Sequence, residues 1–186
     1  KQNLRIWFKN GYDEISIHPY TVSERICNLR DFISVNAISK ELQYKIINQI
    51  YIDAHWLYDH LETHLGRHNH ILNNARALYN ASCLFDGYDY AVIWKNKARE
   101  LWDYYWPKLI LNDGFFSEGS SFYHVMLTRT LLEYWIDIKE NNRNIPKIDI
   151  ENFKKMISIT DILMRSDGSI PLFGDTSPDM PVEWLN

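Results

Sequence analysis

Hydrophobic residues recur three and four positions apart along almost the whole chain, and alternating stretches are nearly absent. This spacing is typical of amphipathic helices, because three or four residues return a helix to the same face. We predict six helices, at about 21–36, 39–64, 69–85, 89–111, 120–140 and 149–165. The chain is therefore predicted to be all-α.

Polar residues mark the expected helix boundaries. The stretch TVSE at 21–24 has the form of a capping box, and single caps are expected at Ser39, Asn69 and Asp149. Gly87 is expected to end the third helix, and Pro107 to kink or shorten the fourth.

Helices joined by short loops usually pack antiparallel, so the six helices are predicted to form three αα-hairpins. That order places four connecting segments at one end of the helices, and we name this end the polar rim. Its segments are 17–20, 67–70, 112–124 and 166–179. The polar rim carries histidines and the other end carries none, which indicates a binding cleft at the polar rim.

Composition narrows the possible functions. The net charge of −4 provides no positive field for nucleic acid or a densely sulfated polymer. No apolar run approaches the roughly 20 residues of a membrane span. The start at Lys1, the missing initiator Met and the ending at EWLN suggest a piece of a longer protein.

Five histidines lie between positions 55 and 70, and His60 and His64 stand four apart, as metal ligands often do. The sequence HLETH is not HExxH, and neither a third ligand nor a second shell is evident. We therefore predict no metal and no cofactor, and interpret His55, His60 and His64 as structural.

Asn69 and His70 stand at a predicted helix start, where unpaired N–H groups and the helix dipole favour an anion. A carboxylate there is one interpretation, and a simple N-cap role for Asn69 is the other. Tyr123 needs a nearby cation before it can act as a base, and His124 or His70 are the candidates. Otherwise Tyr123 is a packed aromatic, and Glu118 caps the fifth helix or binds a sugar hydroxyl.

Two segments, RHNHILNNARALYNA (67–81) and DGFFSEGSSFYHVMLTRTLLEY (113–134), resemble the helical toroid of the heparinase II/III family of polysaccharide lyases. HPYTVSERICN (18–28) and DGSIPLFGDTSPDMPVEWL (167–185) are similar to its flanking segments, especially in members encoded with bacterial surface-polysaccharide genes. The resemblance covers nearly the whole chain. It implies that residues 1–186 form part of an (α/α) toroid of antiparallel hairpins, and that a C-terminal β-sandwich follows in the full-length protein.

The resemblance also implies a reaction, the β-elimination of a glycosidic bond next to a uronic acid. Asn69 and His70 would then neutralise the uronate, and Tyr123 would act as base and acid. The substrate-binding residues expected on this basis are Glu118, His124, His68 and Tyr20. The resemblance further implies a periplasmic or secreted bacterial protein with an acidic polysaccharide as its partner.

Two departures from the family pattern affect this expectation. His68 replaces the usual Gly, and residues 1–186 are too short to include the family's longer toroid and the β-sandwich that is expected to supply a further catalytic His or Tyr. Two alternatives therefore stay open. One is a non-catalytic carbohydrate-binding or polysaccharide-assembly protein. The other is an (α/α)-barrel glycoside hydrolase that uses two carboxylates among Glu118, Asp175 and Asp179.

Overall fold

The computed structural model describes residues 17–63, 68–140 and 150–176. Within these ranges the chain forms six helices, which confirms the all-α prediction. They are α1 Pro19–Val35, α2 Lys40–Asp59, α3 Asn69–Leu84, α4 Asp89–Leu109, α5 Ser121–Glu140 and α6 Ile150–Leu163. None of the described helices is both long enough and apolar enough to cross a membrane. The toroid arrangement itself stays a prediction.

Several helix boundaries follow from local chemistry. Ser39 caps α2 as predicted, because its hydroxyl accepts the N–H of Leu42 at 3.3 Å. Gly87 adopts φ +94° after the end of α3, a backbone conformation that glycine adopts without strain. Helix α4 continues through Pro107 and ends two residues later, so the lost N–H affects only its last turn.

Other predicted boundaries were wrong. Helix α1 begins at Pro19, where proline is favoured, and the side chain of His18 accepts the N–H of Tyr20 at 3.3 Å. The expected capping box at 21–24 therefore lies inside the helix. Helix α2 ends at Asp59 with His60 as its C-cap, well before the predicted position 64. The predicted cap at Asp149 lies outside the described residues.

The chain divides into two compact units. The first consists of residues 1–64 and 73–98, and within it α1 packs against α2. Helix α3 contributes buried polar side chains to this unit. Asn74 donates to Ser23 at 3.0 Å and accepts the N–H of Glu62 at 3.2 Å, and Arg76 pairs with Glu24. Buried polar groups need such partners, which explains why a polar helix can lie in the interior.

The histidines considered as metal ligands have structural surroundings in the first unit. His55 lies among the aromatic rings of Tyr51, Tyr90 and Trp94. His60 stacks on Trp56 with ring centroids 4.1 Å apart, and its Nδ1 lies 2.7 Å from the Trp56 carbonyl oxygen. His64 lies outside the described residues.

The second unit consists of residues 65–72 and 99–186. Within it α5 packs against α6, and Trp102, Trp106, Tyr134 and Phe153 supply large buried aromatic rings. The start of α3, the loop 110–120 and the segment after α6 all belong to this unit. Three of the four polar-rim segments therefore lie in one compact unit, and residues 17–20 belong to the other.

Candidate active site

The start of α3 holds a carboxylate. Asn69 is the first residue of the helix, and its backbone N–H donates to Oε1 of Glu118 at 2.9 Å. The first N–H groups of a helix have no partner within the helix, and the helix dipole favours a negative charge there. This bond joins two segments 49 residues apart and brings the entry loop of α5 to the start of α3.

The loop 110–120 holds Glu118 in place through its own backbone bonds. Ile110 and Phe116 form an isolated antiparallel bridge, and the N–H of Ser117 donates to Leu109 at 2.8 Å. Gly114 adopts φ +92° and lies against α6, where a Cβ atom would come within 2.5 Å of Lys155. Only glycine fits at this turn, which lets the loop pack tightly against α6. Together with the backbone bonds, this close packing fixes the position of Glu118.

Ser120 caps α5. Its side-chain oxygen accepts the N–H of Tyr123 at 3.1 Å, and its hydroxyl donates to the carbonyl oxygen of Asp175. The expectation that Glu118 caps the fifth helix was therefore wrong. The short serine side chain reaches its own helix, whereas the longer Glu118 side chain reaches the start of α3. The simple N-cap role for Asn69 was wrong as well, because Asn69 is the first residue of the helix itself and Glu118 caps its N–H.

Residues 170–176 cross the start of α5, and we call them the strap. The N–H of Ser121 donates to the carbonyl of Phe173 at 3.2 Å, and the N–H of Phe173 donates to the Ser121 side chain at 3.2 Å. Gly174 adopts φ +72°, and any Cβ atom there would overlap the backbone of Gly119. The strap thus fixes Asp175 beside the start of α5.

Neighbouring charges and burial shift the pKa values of two groups in this site, Glu118 and Tyr123. Glu118 is exposed as a residue, yet partial withdrawal of its carboxyl from water raises the pKa, and Asp175 raises it further. The Asn69 amide and the charges of His68 and His70 lower the pKa of Glu118. Burial raises the pKa of the half-buried Tyr123, and the charges of Asp175 and then Glu118 add to the rise. Tyr123 is therefore a phenol at neutral pH.

Glu118→Gln is expected to lower the pKa of Tyr123, because the substitution removes one of the two negative charges that act on the phenol. The pKa should stay above its ordinary value of about 10, since burial and Asp175 still raise it. Ring-carbon NMR titration measures this pKa, with the Tyr123→Phe spectrum identifying the signal. Asp113→Asn, in the same loop, is the matched control and should leave the titration unchanged. An unchanged titration in Glu118→Gln would show that the two groups are not neighbours.

His124 is buried and belongs to the core of the second unit. Its Nδ1 accepts the N–H of Phe116 at 3.2 Å, and its Nε2 donates to the carbonyl of Met156 at 3.1 Å. The ring stacks on Phe115 with centroids 4.8 Å apart. Burial lowers the pKa of His124, so the ring is neutral. Both expected roles, substrate binding and support of a Tyr123 phenolate, conflict with this position, because no ring nitrogen is left for either.

His124→Phe is expected to destabilise the fold by about 2–4 kcal/mol, because the Phe116 N–H and the Met156 carbonyl would lose their partner in the interior. The same change at exposed His60 should cost less, about 1 kcal/mol, because it removes only one solvent-exposed hydrogen bond. Urea unfolding at pH 7 measures both. Equal unfolding free energies for the two variants would contradict the structural role of His124.

The lowered pKa of His124 adds a dependence on pH. The unfolded ring takes up a proton near its ordinary pKa of 6.5, whereas the folded ring resists protonation. The stabilising contribution of His124 is therefore complete above that pKa and is lost as the pH falls below it. In His124→Phe this part of the acid sensitivity should disappear.

His68 and His70 flank Asn69, and their rings meet edge to face with centroids 4.9 Å apart. The structure thus brings together Asn69, His68, His70, Glu118 and Tyr123 in the second unit. Tyr20 lies half-buried in the first turn of α1, in the other unit, and its role stays a prediction.

Sequence reasoning missed the roles of two residues, Ser120 and Gly174, and gave Asp175 a place only in the hydrolase alternative. A serine three positions before Tyr123 is a recognisable cap signal, and it could have identified Ser120. The chain-distant contacts of Gly174 and Asp175 leave no such local signal.

Comparison with protein-family models gives a match over almost the whole chain. Residues 9–185 match the family described as Heparinase II/III N-terminus. The chain therefore belongs to the heparinase II/III N-terminus family, and this membership associates it with polysaccharide lyases. Comparison with curated proteins and with solved structures gave no match.

Proposed function

We propose that this domain forms the helical part of a lyase that cleaves a uronic-acid polysaccharide by β-elimination. The observation that carries the proposal is the bond between the Asn69 N–H and the Glu118 carboxylate. It supports the proposal in two ways. It places the start of α3 next to the start of α5, and a helix start that accepts one carboxylate is suited to another.

The chemical obstacle is the proton on C5 of the uronic acid. Removing it beside an ionised carboxylate would place a second negative charge on the same group. Hydrogen bonds to the carboxylate offset this charge, and each well-placed donor contributes about 3–4 kcal/mol to lowering the barrier. We assign this role to the start of α3 with Asn69 and His70, and we infer that the substrate carboxylate replaces Glu118 there.

Proton transfer at the leaving oxygen is assigned to Tyr123. As the C5 proton is removed, the electron pair forms the C4–C5 double bond, and the bond from C4 to the glycosidic oxygen breaks. The departing oxygen needs a proton, which a phenol can supply. Burial raises the pKa of Tyr123, and the charges of Asp175 and Glu118 add to the rise, so the phenol stays protonated and the acid half of its expected role is favoured.

The base that takes the C5 proton is assigned to a residue outside the described part of the chain. The resemblance to heparinase II/III lyases implies that this base is a His or Tyr of a C-terminal β-sandwich. We also propose, on family membership, that the full-length protein acts on an acidic polysaccharide in the periplasm or outside a bacterial cell.

A glycoside hydrolase is the second candidate, and one observation favours it. Glu118 and Asp175 are close enough for the charge of one to raise the pKa of the other. Hydrolases of this kind use two carboxyl groups about 5–9.5 Å apart, one of them with a raised pKa. Family membership favours the lyase.

The product of the reaction tests the proposal. The full-length protein is incubated with a panel of uronic-acid polysaccharides, and the ultraviolet absorbance is followed. A lyase leaves an unsaturated uronic acid that absorbs, and this is the expected result. New reducing ends without the absorbance would indicate the hydrolase. Intact polymer that stays bound to the protein would indicate a non-catalytic carbohydrate-binding protein.

A further inference from the structure

Asp175 and Tyr123 are anchored to the same atom. The side-chain oxygen of Ser120 accepts the Tyr123 N–H at 3.1 Å, and the same hydroxyl donates to the Asp175 carbonyl. Ser120 itself is completely buried, so this junction is protected from water. The arrangement fixes the backbone of Asp175 next to the first turn of α5, where Tyr123 projects.

Further contacts of the strap keep Asp175 in that position. Phe173 exchanges two hydrogen bonds with Ser121, and its ring stacks against Phe115 with centroids 6.0 Å apart. Gly174 lies so close to Gly119 that only glycine fits. The side chain of Asp175 is exposed, and its negative charge acts on both Tyr123 and Glu118.

We propose that Asp175 is a specificity-determining residue that excludes sulfate from the sugar next to the bond that is cleaved, so that the substrate is an unsulfated uronic-acid polymer. This inference rests on the proposed lyase function. Tyr123 must reach the glycosidic oxygen in order to protonate it, so a carboxylate anchored beside Tyr123 lies beside the sugar that departs with that oxygen. A sulfate on that sugar would meet the negative charge of Asp175 beside two groups, Tyr123 and Glu118, that are partly withdrawn from water.

Glu118 does not provide the same discrimination. Its carboxylate is bonded to Asn69, and the proposed reaction requires the substrate carboxylate to replace it there. The substrate does not displace Asp175, because backbone contacts of the strap hold that residue in position. Its charge therefore stays beside the departing sugar throughout the reaction.

The expected effect follows from the size of one charge interaction. Two unit charges about 6 Å apart change a rate ratio by about threefold in bulk water and by about a hundredfold at the dielectric constant near a protein surface, so we expect about tenfold for an exposed carboxylate. Salt screens such a pair, since the Debye length falls from about 8 Å at 0.15 M to about 3 Å at 1 M. A role of Asp175 in strap folding alone would not respond to salt in this way.

The test uses the full-length protein and the uronate polymer that it cleaves best, before and after chemical O-sulfation. We expect the wild type to have a higher kcat/KM on the unsulfated form. The measured quantity is the ratio of kcat/KM on the unsulfated polymer to kcat/KM on the sulfated polymer. Asp175→Asn should lower this ratio about tenfold, and 1 M salt should lower the wild-type ratio by a similar factor. Asp175→Glu keeps the charge and should keep the ratio. Asp161→Asn, an exposed carboxylate on α6, is the matched control and should also keep it.

The outcomes separate the two proposals. If Asp175→Asn and Asp161→Asn give the same ratio as the wild type, or if the wild type prefers the sulfated polymer, the role of Asp175 is wrong and the lyase function stands. If no polymer yields the unsaturated product, the lyase function is wrong and the inference falls with it. A thermal unfolding midpoint for Asp175→Asn equal to that of the wild type shows that the strap is still in place.

Discussion

Replacing Tyr123 by Phe is expected to lower kcat by about 10²–10⁴-fold, the usual contribution of general acid–base catalysis. The substitution removes only the hydroxyl that would protonate the departing oxygen. The ring and the bond from its backbone N–H to Ser120 remain, so the start of α5 should keep its structure. KM should change little, because the lost interaction is made mainly in the transition state. Initial rates from the ultraviolet absorbance of the product measure both constants.

Tyr44→Phe is the control for this change, since Tyr44 is 72% exposed on α2 and belongs to the other unit. It should have wild-type activity. The assignment as a proton donor also predicts that the wild-type rate falls as the pH rises through the raised pKa of Tyr123. Equal rates for Tyr123→Phe and Tyr44→Phe would remove Tyr123 from its proposed role.

The second large effect is expected for Asn69→Ala, with a loss of about 10²–10³-fold in kcat, the typical result of removing one donor to a developing negative charge. Alanine is a better helix former than asparagine, so α3 should still begin at the same place. The backbone N–H that binds Glu118 also remains. The loss would therefore report on the side chain and its contact with the substrate carboxylate.

Asn96→Ala makes the same substitution at an exposed position of α4 and should leave activity unchanged. The two variants are compared by kcat and by thermal unfolding. Full activity of Asn69→Ala would mean that the carboxylate is neutralised elsewhere, and the assignment of α3 would then be wrong.

The sequence predicted the parts of the fold that depend on neighbouring residues. The cap at Ser39 and the turn at Gly87 each depend on residues within a few positions of one another in the chain, and both predictions are confirmed. Helix α1 begins two residues before the predicted position, because Pro19 occupies its first position and His18 caps it, whereas the capping-box pattern points to residue 21. The end of α2 was missed because apolar residues continue past the last helical turn.

The candidate site could be predicted only in part. Asn69 was placed at a helix start from sequence, and the structure has it there. The partner of its N–H is 49 positions away, and no periodicity contains that information. The anchoring of Asp175 by Ser120, 55 positions apart, is likewise a product of tertiary packing.

His124 is a case in which the sequence contained the answer. Ser121, His124, Val125 and Thr128 are all buried and share the spacing of one helix face. The polar character of histidine suggested chemistry, whereas its position in this stripe indicated the core. Position on the helix was the better guide, since a histidine with both ring nitrogens bonded is stable in the interior.

The most direct test of the account is a crystal structure of the full-length Tyr123→Phe protein with a uronic-acid oligosaccharide bound. We expect the uronate carboxylate within hydrogen-bond distance of the Asn69 N–H, the Glu118 side chain displaced from it, and the glycosidic oxygen facing the ring at position 123. A uronate bound elsewhere, with Glu118 still accepting the Asn69 N–H, would contradict the account.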